Sequence, residues 1–210
     1  MRKPRFPPMV VDLIQTALVS FEGMEFSNRS ACPSCGGAVQ GYDTRKKQFA
    51  VILENEKERV IQVRVKRFYC KSCKILCYAD EPFYPDTRMG SPVIDLCKTF
   101  AATIPFCRTA THLAQLGIVI DRGSVRNYAR KDFGEIPIAD IFNMRLPFSI
   151  ISLSSLAATL GEGSNIDVTE ALAACGFPSA RREVFHHTRT EEGIKRRQED
   201  EKKETENGDP

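Results

Sequence analysis

No uninterrupted apolar run in this chain reaches the ~18 residues needed to cross a membrane. The nearest stretch, residues 146–160, holds Pro147 and several serines and follows Arg145. No membrane association is therefore expected. A secretory leader is not expected either. Arg2, Lys3 and Arg5 precede Val10 and Val11, but Asp12 and Gln15 interrupt any apolar core behind them. The Asn28-Arg29-Ser30 sequon carries no weight without secretion. No Gly-Lys-Ser/Thr follows the Gly161-Glu162-Gly163 loop and no clear strand precedes it, so it does not read as a nucleotide phosphate cradle. Histidine is scarce, with three in 210 residues. His112 stands alone on a helical stretch, and His186 and His187 fall in a polar tail with no cysteine nearby. None of the three reads as a metal ligand.

Cysteine is the exception to this scarcity. The chain has eight, and four form two C-x₂-C pairs, Cys32-Pro33-Ser34-Cys35 and Cys70-Lys71-Ser72-Cys73. With no leader, a reduced, cytoplasmic setting is expected, where paired cysteines mean metal rather than disulfides. Gly36 and Gly37 let the chain turn tightly behind the first pair. Two such turns aim four thiolates at one point, which is the tetrahedral shell of a structural Zn²⁺. The 34 residues between the pairs suit a β-hairpin that leaves the metal and returns to it. This arrangement is a zinc ribbon with Cys32, Cys35, Cys70 and Cys73 as ligands. Four unrelated buried thiols would leave the repeated spacing unexplained. A dithiol redox pair would need one C-x-x-C beside a βαβ pattern, which is absent. Cys77 reads as a spare thiol, and Cys97, Cys107 and Cys175 as small core hydrophobes.

The net charge of +3 hides an asymmetry. Residues 1–135 carry 21 Lys/Arg against 14 Asp/Glu, and residues 136–210 carry 9 against 13. A basic front half is compatible with a polyanionic partner.

The expected fold class is α+β, in five parts. Residues 1–29 form an arm and a short helix, with apolar side chains at helical spacing from Val10 to Phe21. Residues 30–85 form the ribbon, with strands over 48–54 and 60–69 and a polar tip over 55–59. The alternation of Val63 and Val65 with Arg64 and Lys66 gives the second strand a basic outer face. That face, with Lys71, is either an ordinary solvated surface or a phosphate contact. Residues 88–135 hold three helices. Ser91 caps the first, with Pro92 behind it, and Pro105 breaks it. The second runs over 106–116, with Ala110, Leu113 and Ala114 on one side, and Gly117 stops it. Asp121 caps the third, 122–132. Residues 136–180 read as a small helical segment, with helices near 152–160 and 167–175. Residues 181–210 hold 17 charged residues in 30 and are expected to be disordered.

Helix, glycine-containing turn, helix is the helix-turn-helix pattern. In the third helix Val125, Tyr128 and Ala129 fall on the core side. Arg122, Arg126, Asn127, Arg130 and Lys131 fall outside. Arg can read guanine and Asn adenine, each through two hydrogen bonds. Arg130 and Lys131 suit phosphates. A basic surface helix without a DNA role is the competing reading.

Ribbon, connector and helix-turn-helix in that order resemble the N-terminal DNA-binding region of prokaryotic insertion-sequence transposases. Leu113-Ala114, Gly117, Ser124-Val125 and Tyr128 stand where that family's degenerate "LA..G…S.S.V..Y/W" letters fall, and the resemblance covers roughly residues 30–132. It implies double-stranded DNA as the partner, Zn²⁺ as the cofactor and Ser124 among the contacting residues. It also implies a nucleoid-associated location, and a homodimer is compatible with it. The family pattern would continue into an RNase H-like domain whose three carboxylates hold Mg²⁺. Asp140, Glu162, Asp167 and Glu170 lie in the remaining stretch, but without that strand scaffold, so catalysis is not carried over. The expected function is a non-enzymatic, zinc-containing DNA-binding protein, a targeting module or derived regulator. The alternatives are a subunit or remnant of an active transposase or recombinase, or a zinc-ribbon scaffold for protein or RNA.

Overall fold

The computed structural model describes residues 6–54, 56–141, 144–159 and 166–176. The charged tail 181–210, the loop 161–165 and most of the basic arm lie outside these residues. What is described is mixed α+β, with six helices and two sheets.

The first helix, α1 (Pro8–Val19), begins on a proline whose fixed φ suits a helical start. Val10, Ile14, Ala17 and Leu18 recur at helical spacing and are its buried residues. Two long strands follow the first cysteine pair, β2 (Val39–Glu54) and β3 (Lys57–Cys70), paired antiparallel from Val39↔Cys70 to Glu54↔Lys57. On β3, Ile61, Val63 and Val65 are fully buried, while Gln62 and Arg64 between them are exposed. Both strands are longer than expected, and the expected five-residue tip shrinks to a two-residue connection with Glu56 at φ 64°. Pairing continues to the last residues before the tip, Glu54↔Lys57. The short strands β1 (Glu25–Phe26, parallel) and β4 (Leu76–Tyr78, antiparallel) share the other edge of β3.

The next three helices, α2 (Ser91–Ala101), α3 (Phe106–Gln115) and α4 (Arg122–Arg130), pack on one another. Ser91 was expected to cap α2. Instead Gly90 is the N-cap and Ser91 is the first helical residue. A Cβ at Gly90 would lie 2.4 Å from the Phe49 ring, so only glycine fits where the helix entry crosses the sheet. On α3, Leu113 is buried and Ala110 half-buried, but Ala114 faces solvent rather than sharing their side. The connector from α3 to α4 is stitched to the sheet. The Leu53 amide donates to the Gly117 carbonyl and the Val119 amide to Val51, each at 2.8 Å. Gly117 has φ +76°, and a Cβ there would lie 1.7 Å from Gln15 Nε2, which itself donates to the Leu53 carbonyl. The left-handed backbone demands glycine at this point, and any larger residue would also displace the Gln15 side chain.

The segment from residue 136 is not purely helical. It opens with a hairpin, β5 (Ile138–Ile141) and β6 (Met144–Pro147), before α5 (Phe148–Thr159) and α6 (Val168–Ala174). Pro137 and Pro147 explain the correction, because the residue before a proline is driven out of the helical region.

The buried cluster runs from Val10 on α1 to Cys175 at the end of α6. Phe21 and Phe49 stack at 4.2 Å near its centre. Asp95 on α2 is fully buried and accepts from Tyr84 Oη at 2.6 Å and Ser149 Oγ at 2.7 Å. It thereby ties the connector before α2 to α5. Cys97 and Cys175 are core residues, as expected, whereas Cys107 is exposed on the first turn of α3.

Candidate metal centre and basic helix

The two C-x₂-C turns share one backbone pattern. In the first, the Gly36 amide donates to the Cys32 carbonyl and the Cys32 amide to the Gly37 carbonyl, both at 2.9 Å. In the second, the Lys74 amide donates to the Cys70 carbonyl and the Cys70 amide to the Ile75 carbonyl, both at 3.0 Å. Gly36 has φ 68° and Lys74 has φ 61°. A lysine thus holds the left-handed position that glycine takes in the first turn, which its Cβ disfavours. The turns sit together because Val39 and Cys70 pair at the base of the hairpin. They are so close that a Cβ on Gly37 would approach Ser72 Oγ to 2.7 Å.

All four Sγ atoms lie within 4.8 Å of one another, and Cys32–Cys73 and Cys35–Cys70 each lie 3.5 Å apart. None is in a disulfide. Zn–S bonds of ~2.3 Å at tetrahedral angles require S–S edges of about 3.8 Å. The four sulfurs therefore stand close to the spacing a metal needs. Charge is unevenly spread among them. The Cys73 amide, donating to Cys70, is the largest cause bringing that thiol down to about 6. Burial opposes ionisation of Cys32, but the Ser34 and Cys35 amides and neighbouring thiols outweigh it and leave that thiol below its ordinary range. Burial, reinforced by the surrounding sulfurs, pushes Cys73 up to about 12. A cation among them would favour all four thiolates. Cys77 lies apart from this set, buried on β4, with its Sγ on the Phe68 carbonyl at 3.6 Å.

Helix α4 divides by face. Val125 and Tyr128 are buried and Ala129 is half-buried. Arg122, Arg126, Asn127 and Arg130 are exposed, and Ser124 is intermediate. Asp121 is the N-cap. Its carboxylate accepts from Ser124 Oγ at 2.6 Å and from the Ser124 amide at 2.9 Å. The Ser124 hydroxyl and then its amide hold the Asp121 carboxyl below the usual aspartate range. Asp121→Ala should cost about 1 kcal/mol, within the ~0.5–2 kcal/mol span of lost N-caps. Because the folded pKa is lowered, the cap's contribution is complete above the unfolded value and is lost as pH falls through the folded one. Denaturant midpoints of parent and variant should differ near neutral pH and converge as acid protonates Asp121.

The sequence-predicted contacts do not all fare alike. Ser124 spends its hydroxyl on the cap. Lys131 is outside the helix as its C-cap, with extended backbone, and its Nζ donates to the Asp86 carbonyl at 3.2 Å. On the sheet, Arg64 pairs with Glu25 at 3.2 Å, and Lys66 lies over the Phe68 ring, so the basic strand face is less free than its sequence implied. Arg29, Arg45, Lys47, Arg59 and Arg67 are likewise paired with carboxylates. Among the described residues, Arg122, Arg126 and Arg130 make no ion pair. Two features escaped the sequence reading. Lys74 occupies the position after the second Cys that Gly36 occupies after the first, and that spacing was the available signal. Arg88, exposed beside α4, carries no motif.

No helix of the described residues is long and apolar enough to cross a membrane. Compared with known protein families, curated proteins and solved structures, the chain matches none.

Proposed function

We propose that Cys32, Cys35, Cys70 and Cys73 hold a structural Zn²⁺ in a ribbon. In the same reading α3 and α4 form a helix-turn-helix that binds duplex DNA, with α4 as the reader. The protein is then a non-enzymatic DNA-targeting module or regulator, similar in plan to the N-terminal region of insertion-sequence transposases. An all-thiolate set suits Zn²⁺ better than the hard cations Mg²⁺ or Ca²⁺, which take oxygen ligands. The metal's part is to fix the base of the hairpin.

One observation carries the DNA reading. Arg122, Arg126 and Arg130 repeat at i, i+4 and i+8 on the exposed face of a nine-residue helix. Like charges at that spacing cost a helix ~0.2–0.5 kcal/mol per pair. Among the described residues no carboxylate pairs with them to offset this cost, whereas many cations on the sheet are paired. A polyanion would offset it. Selection of bound duplexes from a random pool should enrich one sequence, with affinity falling steeply as salt rises. If no sequence is enriched and single-stranded RNA competes as well as duplex, the scaffold reading replaces this one.

A further inference from the structure

The connector between sheet and helices, residues 82–90, is anchored rather than loose. The Ser91 amide donates to the Pro82 carbonyl and the Gly90 amide to Phe49, at 2.9 and 2.8 Å. Tyr84 stacks on Phe133 at 4.3 Å and hydrogen-bonds buried Asp95. Thr87 Oγ1 donates to the Tyr84 carbonyl at 2.7 Å. Phe83, Tyr84, Met89 and Gly90 are buried, and Arg88 is exposed among them.

The connector also runs along α4. Lys131 Nζ, at the end of that helix, donates to the Asp86 carbonyl at 3.2 Å, two residues before exposed Arg88. At about 100° per residue, Arg122, Arg126 and Arg130 drift by only about 40° per step and form one flank of the exposed face. Asn127 lies about 100° round from Arg126, toward Tyr128 and Lys131. The connector borders that second side. The exposed face of α4 thus has an arginine stripe on one flank and Arg88 on the other, with Asn127 between them.

A helix with its side chains is ~10–12 Å across, and the major groove is ~12 Å wide. A helix that fills the groove turns its two flanks toward the two phosphate walls. We propose that Arg88 is a phosphate contact on the strand opposite the one met by Arg122, Arg126 and Arg130. Lys131 is then a positioning residue that staples the connector to α4. This inference rests on the DNA reading above.

The test uses the full chain with its metal, the duplex enriched by the selection above and unrelated duplexes beside it. Arg88→Gln should weaken all sequences alike and make log K less steep in log salt by about one unit, at unchanged melting temperature. Phosphate-ethylation interference should vanish in Arg88→Gln at a position on one strand, and in Arg122→Gln at a position on the other. Lys131→Ala, with Arg88 intact, should weaken the Arg88 interference signal. If Arg88→Gln keeps the parent's salt slope while loss of the three α4 arginines abolishes binding, the flank assignment is wrong and the reader stands. If both variants weaken binding but their interference signals fall on the same strand, the two-wall grip is overturned. If the parent shows no salt-dependent duplex binding, both readings fall.

Discussion

Cys70→Ser protein should be purified without zinc and should lose cooperative unfolding in its N-terminal half. Cys70 is where three elements converge. It ends β3, pairs with Val39 at the base of the hairpin, and opens the second cysteine turn. Removing one of four thiolates leaves an open, weaker site whose remaining sulfurs, at 3.5 Å, are poised to oxidise. Apparent zinc-binding energies of ~10–16 kcal/mol in small finger peptides set the scale of what the cluster can lose. Serine at Cys32, Cys35 or Cys73 should act alike. Cys107→Ser, on an exposed thiol outside the cluster, should keep its metal. Elemental analysis and chelator-induced unfolding check this. A parent protein that carries no zinc when purified without chelator defeats the assignment.

Loss of the α4 arginine stripe is the second large effect. Arg122→Ala, Arg126→Ala and Arg130→Ala combined should reduce duplex affinity by orders of magnitude and flatten the salt dependence. If all three hold phosphates, the slope of log K against log salt falls by about 2.7 units, at ~0.9 per contact. If one reads a base, its single alanine variant should lose ~1–3 kcal/mol at the selected site and little elsewhere. Asn127→Ala offers the same discrimination for an adenine. Removing three like charges should leave the helix as stable as before, or more so. A variant that folds normally and binds as the parent does would remove α4 from the function.

The elements that local physics determines were legible in the sequence. Helical spacing marked α1, prolines and glycines bounded α2 and α3, and Asp121 announced α4. The C-x₂-C spacing marked the four sulfurs that the hairpin brings together. Contacts that depend on distant partners were hidden. No local rule shows that Gln15 of α1 reaches the Leu53 carbonyl beside Gly117, or that the connector after α3 hydrogen-bonds to β2. The strand tendency of residues 138–147 was masked by weak alternation, and Ser91 lost its expected capping role to Gly90 because Phe49 packs beneath it. Which cations are free could not be read at all, since pairs such as Lys47–Glu81 join residues far apart in the chain.

The stitching of the α3–α4 connector to the hairpin acts as a ruler. Val39 of β2 pairs with Cys70 at the metal end, and Ile52 of the same strand bridges Ile118 at the helical end. At ~3.3 Å per residue the intervening strand spans at most roughly 43 Å. One turn of duplex DNA is ~34–36 Å. A partner that touched both the cysteine turns and the helix connector would therefore need to span no more than a little over one helical repeat.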